Sequence, residues 1–189
     1  MPRKTASGEL VFKIVYFGPE LAGKTTSIKW LHDEEKGIQT GKLTSVKGSK
    51  EAGFFDRMMV KLGKKVQFQI WTVAGRQGHT ALRKVILEGC DGIVFVWSAL
   101  KNDWKENLLS VNELIKILQE KLNAMPVICM INKSDLPKKE TAAQSEVEKV
   151  FKKANLKHVI FIPSVAIKGE NVKEAFITCA KEILQSFKG

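Results

Sequence analysis

A glycine-rich octapeptide at residues 18–25 has the most specific chemistry in the sequence. It reads GPELAGKT and matches the pattern G-x-x-x-x-G-K-[ST]. In this pattern backbone N–H groups point at phosphate oxygens, the lysine (Lys24) contacts the outer phosphates and the hydroxyl (Thr25) binds Mg²⁺. The residues predicted to line the phosphate site are Gly18, Pro19, Glu20, Leu21, Ala22, Gly23, Lys24, Thr25 and Thr26.

The sequence on either side of the octapeptide fits phosphate binding. The apolar run Leu10–Phe17 directly before it predicts a buried strand, and Thr25–His32 directly after it has helical spacing. A helix that begins at the loop adds the positive end of its dipole to the phosphate site. The strand–loop–helix order therefore favours a nucleotide phosphate site over an ordinary glycine-rich turn.

A second segment, NKSD at residues 132–135, indicates which base is bound. The carboxylate of Asp135 can accept hydrogen bonds from the N1–H and 2-amino groups of guanine, a donor pair that adenine lacks. Asn132 can connect the segment to the phosphate loop, and the stem of Lys133 can lie along the base plane. N-K-x-D is a weak signal by itself, but directly after the apolar run Pro126–Ile131 it predicts guanine.

Apolar runs and amphipathic stretches alternate along the chain, and their order predicts an α/β fold. The predicted strands are Leu10–Phe17, Phe54–Leu62, Val66–Trp71, Gly92–Ser98, Pro126–Ile131 and His158–Pro163. Residues 63–65 are typical of a hairpin turn, and residues 33–53 predict a long loop. We expect a P-loop NTPase fold, with a six-stranded, mostly parallel sheet, one antiparallel hairpin and helices on both faces. Ligands of such sheets bind at the carboxyl ends of the strands.

Length and charge limit the remaining possibilities. The 189 residues predict a single domain over 1–189. The formal net charge of +11 raises nucleic acid as a partner, but the basic residues are scattered and form no block of five. This distribution favours a mildly basic surface, with transient contact to a membrane or an acidic partner, over nucleic-acid binding. The three cysteines are far apart and no signal peptide is evident, so we expect a cytoplasmic protein.

These segments resemble the small Ras-like GTPases over essentially the whole chain, and most closely the prokaryotic MglA type of gliding motility and polarity. The likeness runs through VYFGPELAGKTT, GKLTS, FFD, WTVAG, LEGCDGIVFV and NKSDLP. Residues 20–26 are also similar to the ADP-ribosylation-factor branch, which has an acidic residue at the position of Glu20. The resemblance implies a Ras-like G domain that binds GTP and GDP with Mg²⁺.

The resemblance also extends the predicted site beyond the two motifs. It adds Gly75 to the phosphate site, and it adds Val165 and Ala166 to the guanine site as a third base-contacting loop. In that loop the N–H of Ala166 is expected to meet the base carbonyl. The metal ligand that the resemblance implies is the hydroxyl of Thr25.

The chain departs from the family pattern where hydrolysis is controlled. Thr72 stands where most Ras-like GTPases have the aspartate of D-x-x-G, which holds a Mg²⁺-bound water. Thr is itself an MglA-type trait, so the resemblance implies Mg²⁺ binding with a weaker outer shell. Arg76 replaces the glutamine that orients the attacking water, and Gln77 follows it. Arg76 and Gln77 are therefore the two candidate catalytic residues.

The first switch departs from the pattern as well. MglA-type proteins carry Arg-Thr shortly before the aromatic pair, and the corresponding positions here are Glu51 and Ala52. Thr40 and Thr44 are the remaining candidates for the threonine that senses the γ-phosphate. Very slow intrinsic hydrolysis is the expected consequence of these changes.

The leading hypothesis is a GTP-binding switch protein that hydrolyses GTP slowly with help from a partner. The resemblance implies a GTPase-activating or exchange protein, a roadblock-type protein first, and an effector at the switch loops. An alternative is a GTP-loaded binding scaffold with negligible hydrolysis, and a third hypothesis is an ATP-dependent P-loop kinase. Trp71 and Trp97, at the ends of predicted strands, are expected in the core, whereas Phe54 and Phe55 lie where a partner could pair with the strand.

Overall fold

Nine strands form one sheet in the part of the chain that the structure describes. The computed structural model describes residues 3–35, 38–46, 55–63, 65–73, 80–156 and 158–188. The strands are β1 (Arg3–Lys4), β2 (Leu10–Phe17), β3 (Gln39–Thr40), β4 (Thr44–Val46), β5 (Phe55–Leu62), β6 (Val66–Thr72), β7 (Gly92–Ser98), β8 (Val127–Asn132) and β9 (Val159–Ser164). The helices are α1 (Lys24–Asp33), α2 (Thr80–Leu87), α3 (Trp104–Leu118), α4 (Gln144–Lys153) and α5 (Val172–Lys188), with short 3₁₀ segments at Lys101–Asp103 and Gln119–Ala124.

The order of the strands confirms the predicted fold. The sheet runs β3-β5-β6-β2-β7-β8-β9, and β1 and β4 pair with β2 and β5 respectively. From β6 to β9 every pairing is parallel, whereas β5 and β6 form the predicted antiparallel hairpin. All six predicted strands are present, with ends within one residue of those predicted. The structure contains three further strands, β1, β3 and β4, that were not predicted.

The segment predicted as a long loop at residues 33–53 is partly ordered into strands. Within it, β3 and β4 each pair antiparallel with β5. Their sequences, QT and TSV, are too short for any hydrophobic period to show. Pairing with the edge of β5 decides their conformation, which is a tertiary effect that outweighs local pattern.

Helices cover both faces of the sheet and fix its central strands. On β2, Phe12, Ile14 and Tyr16 pack among residues of α1 and α5, while Val15 and Phe17 pack among residues of α2, α3 and α4. Strands buried on both faces read as continuous apolar runs, which is why β7 and β8 were recognisable in the sequence. In the described ranges, none of the helices is both long enough and apolar enough to cross a membrane.

Strand direction determines what meets at the functional edge of the sheet. Because β2, β6, β7, β8 and β9 are parallel, the segments that follow them lie at one edge. Strand β5 runs antiparallel to β6, so the first residues of β5 lie at this same edge. The edge therefore combines the carboxyl ends of five strands with the amino end of a sixth.

Candidate nucleotide-binding site

The phosphate loop is a tight turn between β2 and α1 that depends on its two glycines. Gly18 has φ +141° and Gly23 has φ +109°, values that residues other than glycine rarely adopt. A Cβ at Gly18 would lie 2.3 Å from the Val96 carbonyl oxygen, and one at Gly23 would lie 2.1 Å from Nδ2 of Asn132. Residues 18–23, the predicted phosphate cradle, therefore form a turn that needs glycine at both positions, and Lys24, Thr25 and Thr26 are the first three residues of α1.

Lys24 is buried at the centre of this cradle. Its side chain is 6% exposed, and Nζ donates to the carbonyl oxygens of Gly18, at 3.0 Å, and Pro19. The pKa of Lys24 is lowered to about 7, chiefly by burial and also by the nearby charge of Arg83, while Glu20 opposes the shift. A buried amine among neutral carbonyl groups gains a strong partner when an anionic phosphate enters.

At pH 8 the protein is expected to take up about one proton for each nucleotide that it binds. With a pKa near 7 the amine of Lys24 is mostly neutral in the free protein, and a bound phosphate restores its charge. Isothermal titration calorimetry with GDP, in buffers of different ionisation enthalpy, measures this uptake. The uptake should shrink from pH 8 toward pH 7. Lys29→Met, a change to an exposed lysine on the same helix, should leave it intact; proton uptake that persists in Lys24→Met would contradict the assignment.

Asn132 connects the phosphate loop to the base-recognition segments. It is the last residue of β8 and is 4% exposed. Its Nδ2 donates to the Ala22 carbonyl oxygen at 2.7 Å, and its Oδ1 accepts from the Ala166 N–H at 2.8 Å. One amide thus holds together three segments that are far apart in the sequence.

The loop after β9 differs in one hydrogen bond from what the sequence analysis predicts. The Ala166 N–H, expected to meet the base carbonyl, already donates to Asn132. Val165 is bridged to Glu170 and shapes the turn. The next N–H along, that of Ile167, has no partner among the described residues, so it is the group available to a base carbonyl.

Asp135, which is predicted to recognise the base, and the neighbouring Lys133 are each held by an ion pair. Nζ of Lys168 donates to Oδ2 of Asp135 at 3.0 Å, and this hydrogen bond lowers the pKa of Asp135, so its carboxylate stays ionised. Nζ of Lys133 donates to Oδ2 of Asp103 at 3.2 Å, and the Ser98 hydroxyl donates to the same oxygen. Neither Asp103 nor the pairing of Lys168 with Asp135 was predicted, since no motif spacing signals them.

A buried carboxylate from β5 completes the site and was also missed by the sequence analysis. Asp56 is 7% exposed. Its Oδ2 accepts from the Thr25 hydroxyl and its Oδ1 from the Ser45 hydroxyl, both at 2.7 Å. Its N–H donates to Oγ1 of Thr72 at 2.7 Å, and that hydroxyl donates back to Oδ2 at 3.1 Å. Asp56 therefore links the start of α1 to β4 and β6.

Comparison with known proteins identifies the group to which the chain is related. The model of the Ras family matches residues 13–185. The chain belongs to the Ras family. It is 34% identical to the mutual gliding-motility protein MglA of Myxococcus xanthus, over 97% of this chain and 95% of that protein. It is also 28% identical to the GTP-binding protein ypt3 of Schizosaccharomyces pombe (94% and 78%) and 25% identical to human Ras-related protein Rab-17 (97% and 82%).

Membership of the Ras family confirms three predictions made from the sequence. The predicted resemblance to Ras-like and MglA-type proteins is confirmed, and so is the Ras-like G-domain fold. The Ras family is a family of GTPases, so the predicted enzyme class is confirmed too. How the individual site residues act is taken up as a proposal below.

The oxygen atoms around Asp56 fit the metal that this family uses. Magnesium prefers hard oxygen ligands and is usually bound through one or two carboxylates, waters and substrate phosphates. The Asp56 carboxylate bonds to the hydroxyl groups of Thr25, Ser45 and Thr72, beside the phosphate loop. Thr72 is the position where most Ras-like proteins carry their aspartate, and here a carboxylate reaches that point from the adjacent strand.

Several predicted residues lie outside the described part of the chain. Gly75, Arg76 and Gln77 fall within residues 74–79, and Glu51 and Ala52 fall within 47–54. Thr40 and Thr44 are described and pair with Val60 and Arg57 of β5. The β4 hydroxyl that bonds to Asp56 is that of Ser45, which the sequence analysis did not consider.

Proposed function

We propose that this Ras-family GTPase is a switch protein that binds GTP and GDP together with Mg²⁺ and hydrolyses GTP slowly. The observation that supports this best is the pair of hydrogen bonds made by Asn132. They hold the phosphate loop against the two segments that carry Asp135 and Ile167. The predicted phosphate loop and the predicted guanine-binding groups are thus held next to each other.

In this proposal each part of the nucleotide has its own partners. The N–H groups of residues 20–25 and Nζ of Lys24 hold the phosphates. Asp135 accepts from the N1–H and 2-amino groups of guanine, and the Ile167 N–H donates to the base carbonyl. The Thr25 hydroxyl and the Asp56 carboxylate hold Mg²⁺, directly or through water. The ion neutralises phosphate charge when bound.

The proposed slowness of hydrolysis follows from residue types in the second switch. Arg76 stands where most Ras-like proteins have the glutamine that orients the attacking water, and Gln77 lies one residue further on. Loss of a water-orienting group or an arginine finger costs roughly 10³–10⁵ in rate. Binding depends on many other contacts and should persist. A partner that supplies the missing group would restore turnover.

The outer face of the β5–β6 hairpin supports a partner at the switches. Phe55 stacks on Trp71 with ring centroids 5.3 Å apart, and the Arg57 guanidinium lies 5.1 Å from the Trp71 ring centroid. Both aromatic residues are half-buried and pack against the hydrophobic core, so Trp71 lies at the margin of the core in which it was predicted. Trp97 is fully buried, as predicted. Half-buried aromatic and arginine side chains are typical of protein interfaces.

Ras-family proteins generally work with activating, exchange and effector proteins. We propose that this chain does the same, with a roadblock-type activating protein as the first to test because of the likeness to MglA. We also propose a cytoplasmic location, which the three free thiols Cys90, Cys129 and Cys179 support. Transient contact with a membrane or an acidic partner agrees with the net charge of +11.

A second candidate function is a GTP-loaded scaffold with negligible hydrolysis. The observation that favours it is the replacement of two family residues at once, by Ala52 in the first switch and Arg76 in the second. The two candidates predict the same nucleotide binding. They differ in whether phosphate is ever released.

Affinity and single-turnover measurements on the full chain test the proposal. We expect GDP and GTP to bind with Mg²⁺ far more tightly than ATP, and preloaded GTP to be hydrolysed slowly, with acceleration by an activating protein. Binding is measured by calorimetry and hydrolysis by release of labelled phosphate. Tighter binding of ATP would overturn the guanine assignment. No phosphate release over hours, with or without candidate activators, would leave only the scaffold.

A further inference from the structure

Two large aliphatic side chains are unusually exposed beside the nucleotide site. Leu21 is 83% exposed and Ile167 is 81% exposed, whereas the next most exposed large apolar side chain in the described residues, Val85, is at 64%. Exposed apolar side chains are common, but these two belong to different loops of the same site.

Leu21 and Ile167 are each next in the sequence to a residue that bonds to Asn132. Leu21 precedes Ala22, whose carbonyl oxygen accepts from Nδ2 of Asn132 at 2.7 Å. Ile167 follows Ala166, whose N–H donates to Oδ1 of the same amide at 2.8 Å. A Cβ at Gly23 would lie 3.7 Å from the Ala166 Cβ, so the two loops are in van der Waals range. Leu21 and Ile167 thus belong to two neighbouring loops that Asn132 holds together.

The backbone of Leu21 is in a costly conformation. Its φ of +60° is in the left-handed region, which glycine and asparagine adopt more readily than leucine. In the free protein the side chain gains almost no burial to offset this strain. A contact that forms only when a ligand is bound would offset it.

We propose that Leu21 and Ile167 close on the nucleoside part of a bound guanine nucleotide and thereby slow its release. This inference rests on the proposed function and deepens it, since it adds an apolar contact with the ribose and the purine edge to the polar contacts. At the usual free energy per unit of buried apolar area, each side chain should slow dissociation about tenfold. The contact lies away from the outer phosphates, so GDP and GTP should be affected equally.

The test is the dissociation rate of tritiated GDP, and separately of a labelled non-hydrolysable GTP analogue, chased with unlabelled nucleotide in the presence of Mg²⁺. A dye on the ribose is avoided because it would occupy the place of the two side chains. We expect Leu21→Ala and Ile167→Ala each to release both nucleotides about tenfold faster. Leu21→Met should stay close to the wild type. The matched control is Leu109→Ala, which truncates a 44%-exposed leucine on α3 and should change nothing.

A further variant separates apolar contact from backbone strain. Leu21→Asn relieves the strain but removes the apolar surface, so our proposal expects faster release, and slower release than the wild type would overturn it. Unchanged dissociation rates in both alanine variants would also overturn the proposal. A protein partner would then be the remaining candidate to cover these side chains. If the wild type binds no guanine nucleotide, the proposed function fails as well. If it binds normally and only the variant rates are unchanged, the failure is confined to this inference.

Discussion

Replacing Asp135 with asparagine should transfer the preference of the site from guanine to xanthine nucleotides. In the proposed site the carboxylate accepts two hydrogen bonds from guanine, each worth about 1.5–3 kcal/mol when one partner is charged. We therefore expect GDP affinity to fall by roughly 10²–10³, the factor that about 3–4 kcal/mol gives. Xanthine has a carbonyl group in place of the 2-amino group, and an amide can donate to it while still accepting from N1–H. Competition between GDP and its xanthine counterpart for the variant measures the transfer.

The matched control for this change is Lys168→Ala. It removes the ion pair of Asp135 but keeps the carboxylate, and exposed ion pairs contribute little. Guanine preference should therefore survive near neutral pH. Because Lys168 lowers the pKa of Asp135, acid should weaken GDP binding from a higher pH in this variant than in the wild type. If Asp135→Asn keeps its selectivity for guanine, the base is recognised by a different segment.

Local sequence was sufficient for the parts of the site that depend on local conformation. The phosphate loop was recognisable because Gly18 and Gly23 occupy positions where any other residue would clash or adopt a strained φ. Strands such as β7 were recognisable because they are buried on both faces and so are apolar throughout. In both cases the physical requirement falls on consecutive residues, so the pattern appears directly in the sequence.

The residues that sequence analysis missed depend on contacts between distant segments. Asp56 reaches the phosphate loop only because β5 is antiparallel to β6. In this pairing Arg57 lies opposite Trp71, and Asp56 therefore lies opposite Thr72. Nothing near position 56 signals this. The same holds for Asp103, which meets Lys133 across 30 positions of the chain. The packing of segments that are distant in the sequence, rather than local residue pattern, decides these contacts.

The loop after β9 shows a subtler limit of motif transfer. The resemblance assigns the residues around Ala166 to the guanine site, but which N–H in that loop is available depends on a shift of one residue. Because the amide of Asn132 takes the Ala166 N–H, the next one, that of Ile167, is the group available to the base. A resemblance between motifs identifies the loop, whereas the hydrogen bonds of neighbouring segments decide which atom in it can bind.

The second large effect is expected at Asp56. Truncation in Asp56→Ala removes the carboxylate that bonds to the Thr25 hydroxyl and so weakens the hold of the site on Mg²⁺. Loss of a residue that orients a metal ligand typically costs 10–100-fold in metal affinity, and we expect a loss of that size. The measurement is GDP release at graded Mg²⁺ concentrations. In the variant the concentration of Mg²⁺ that retains the nucleotide should rise by this factor, while release in a chelator stays as in the wild type.

Exchanging the two facing residues gives the sharpest form of this test. In the double variant Asp56→Thr with Thr72→Asp, the carboxylate moves to the adjacent strand, where most Ras-like proteins carry it, and the Mg²⁺ dependence should return toward that of the wild type. Thr72→Asp alone places two carboxylates side by side, so one of them should be protonated. The second carboxylate should therefore add nothing to the Mg²⁺ affinity. Circular dichroism checks that each variant is folded. An unchanged Mg²⁺ dependence in Asp56→Ala would instead make Asp56 a structural link between β5 and α1, because its hydrogen bonds with Thr25 and Thr72 would then serve only to join these elements.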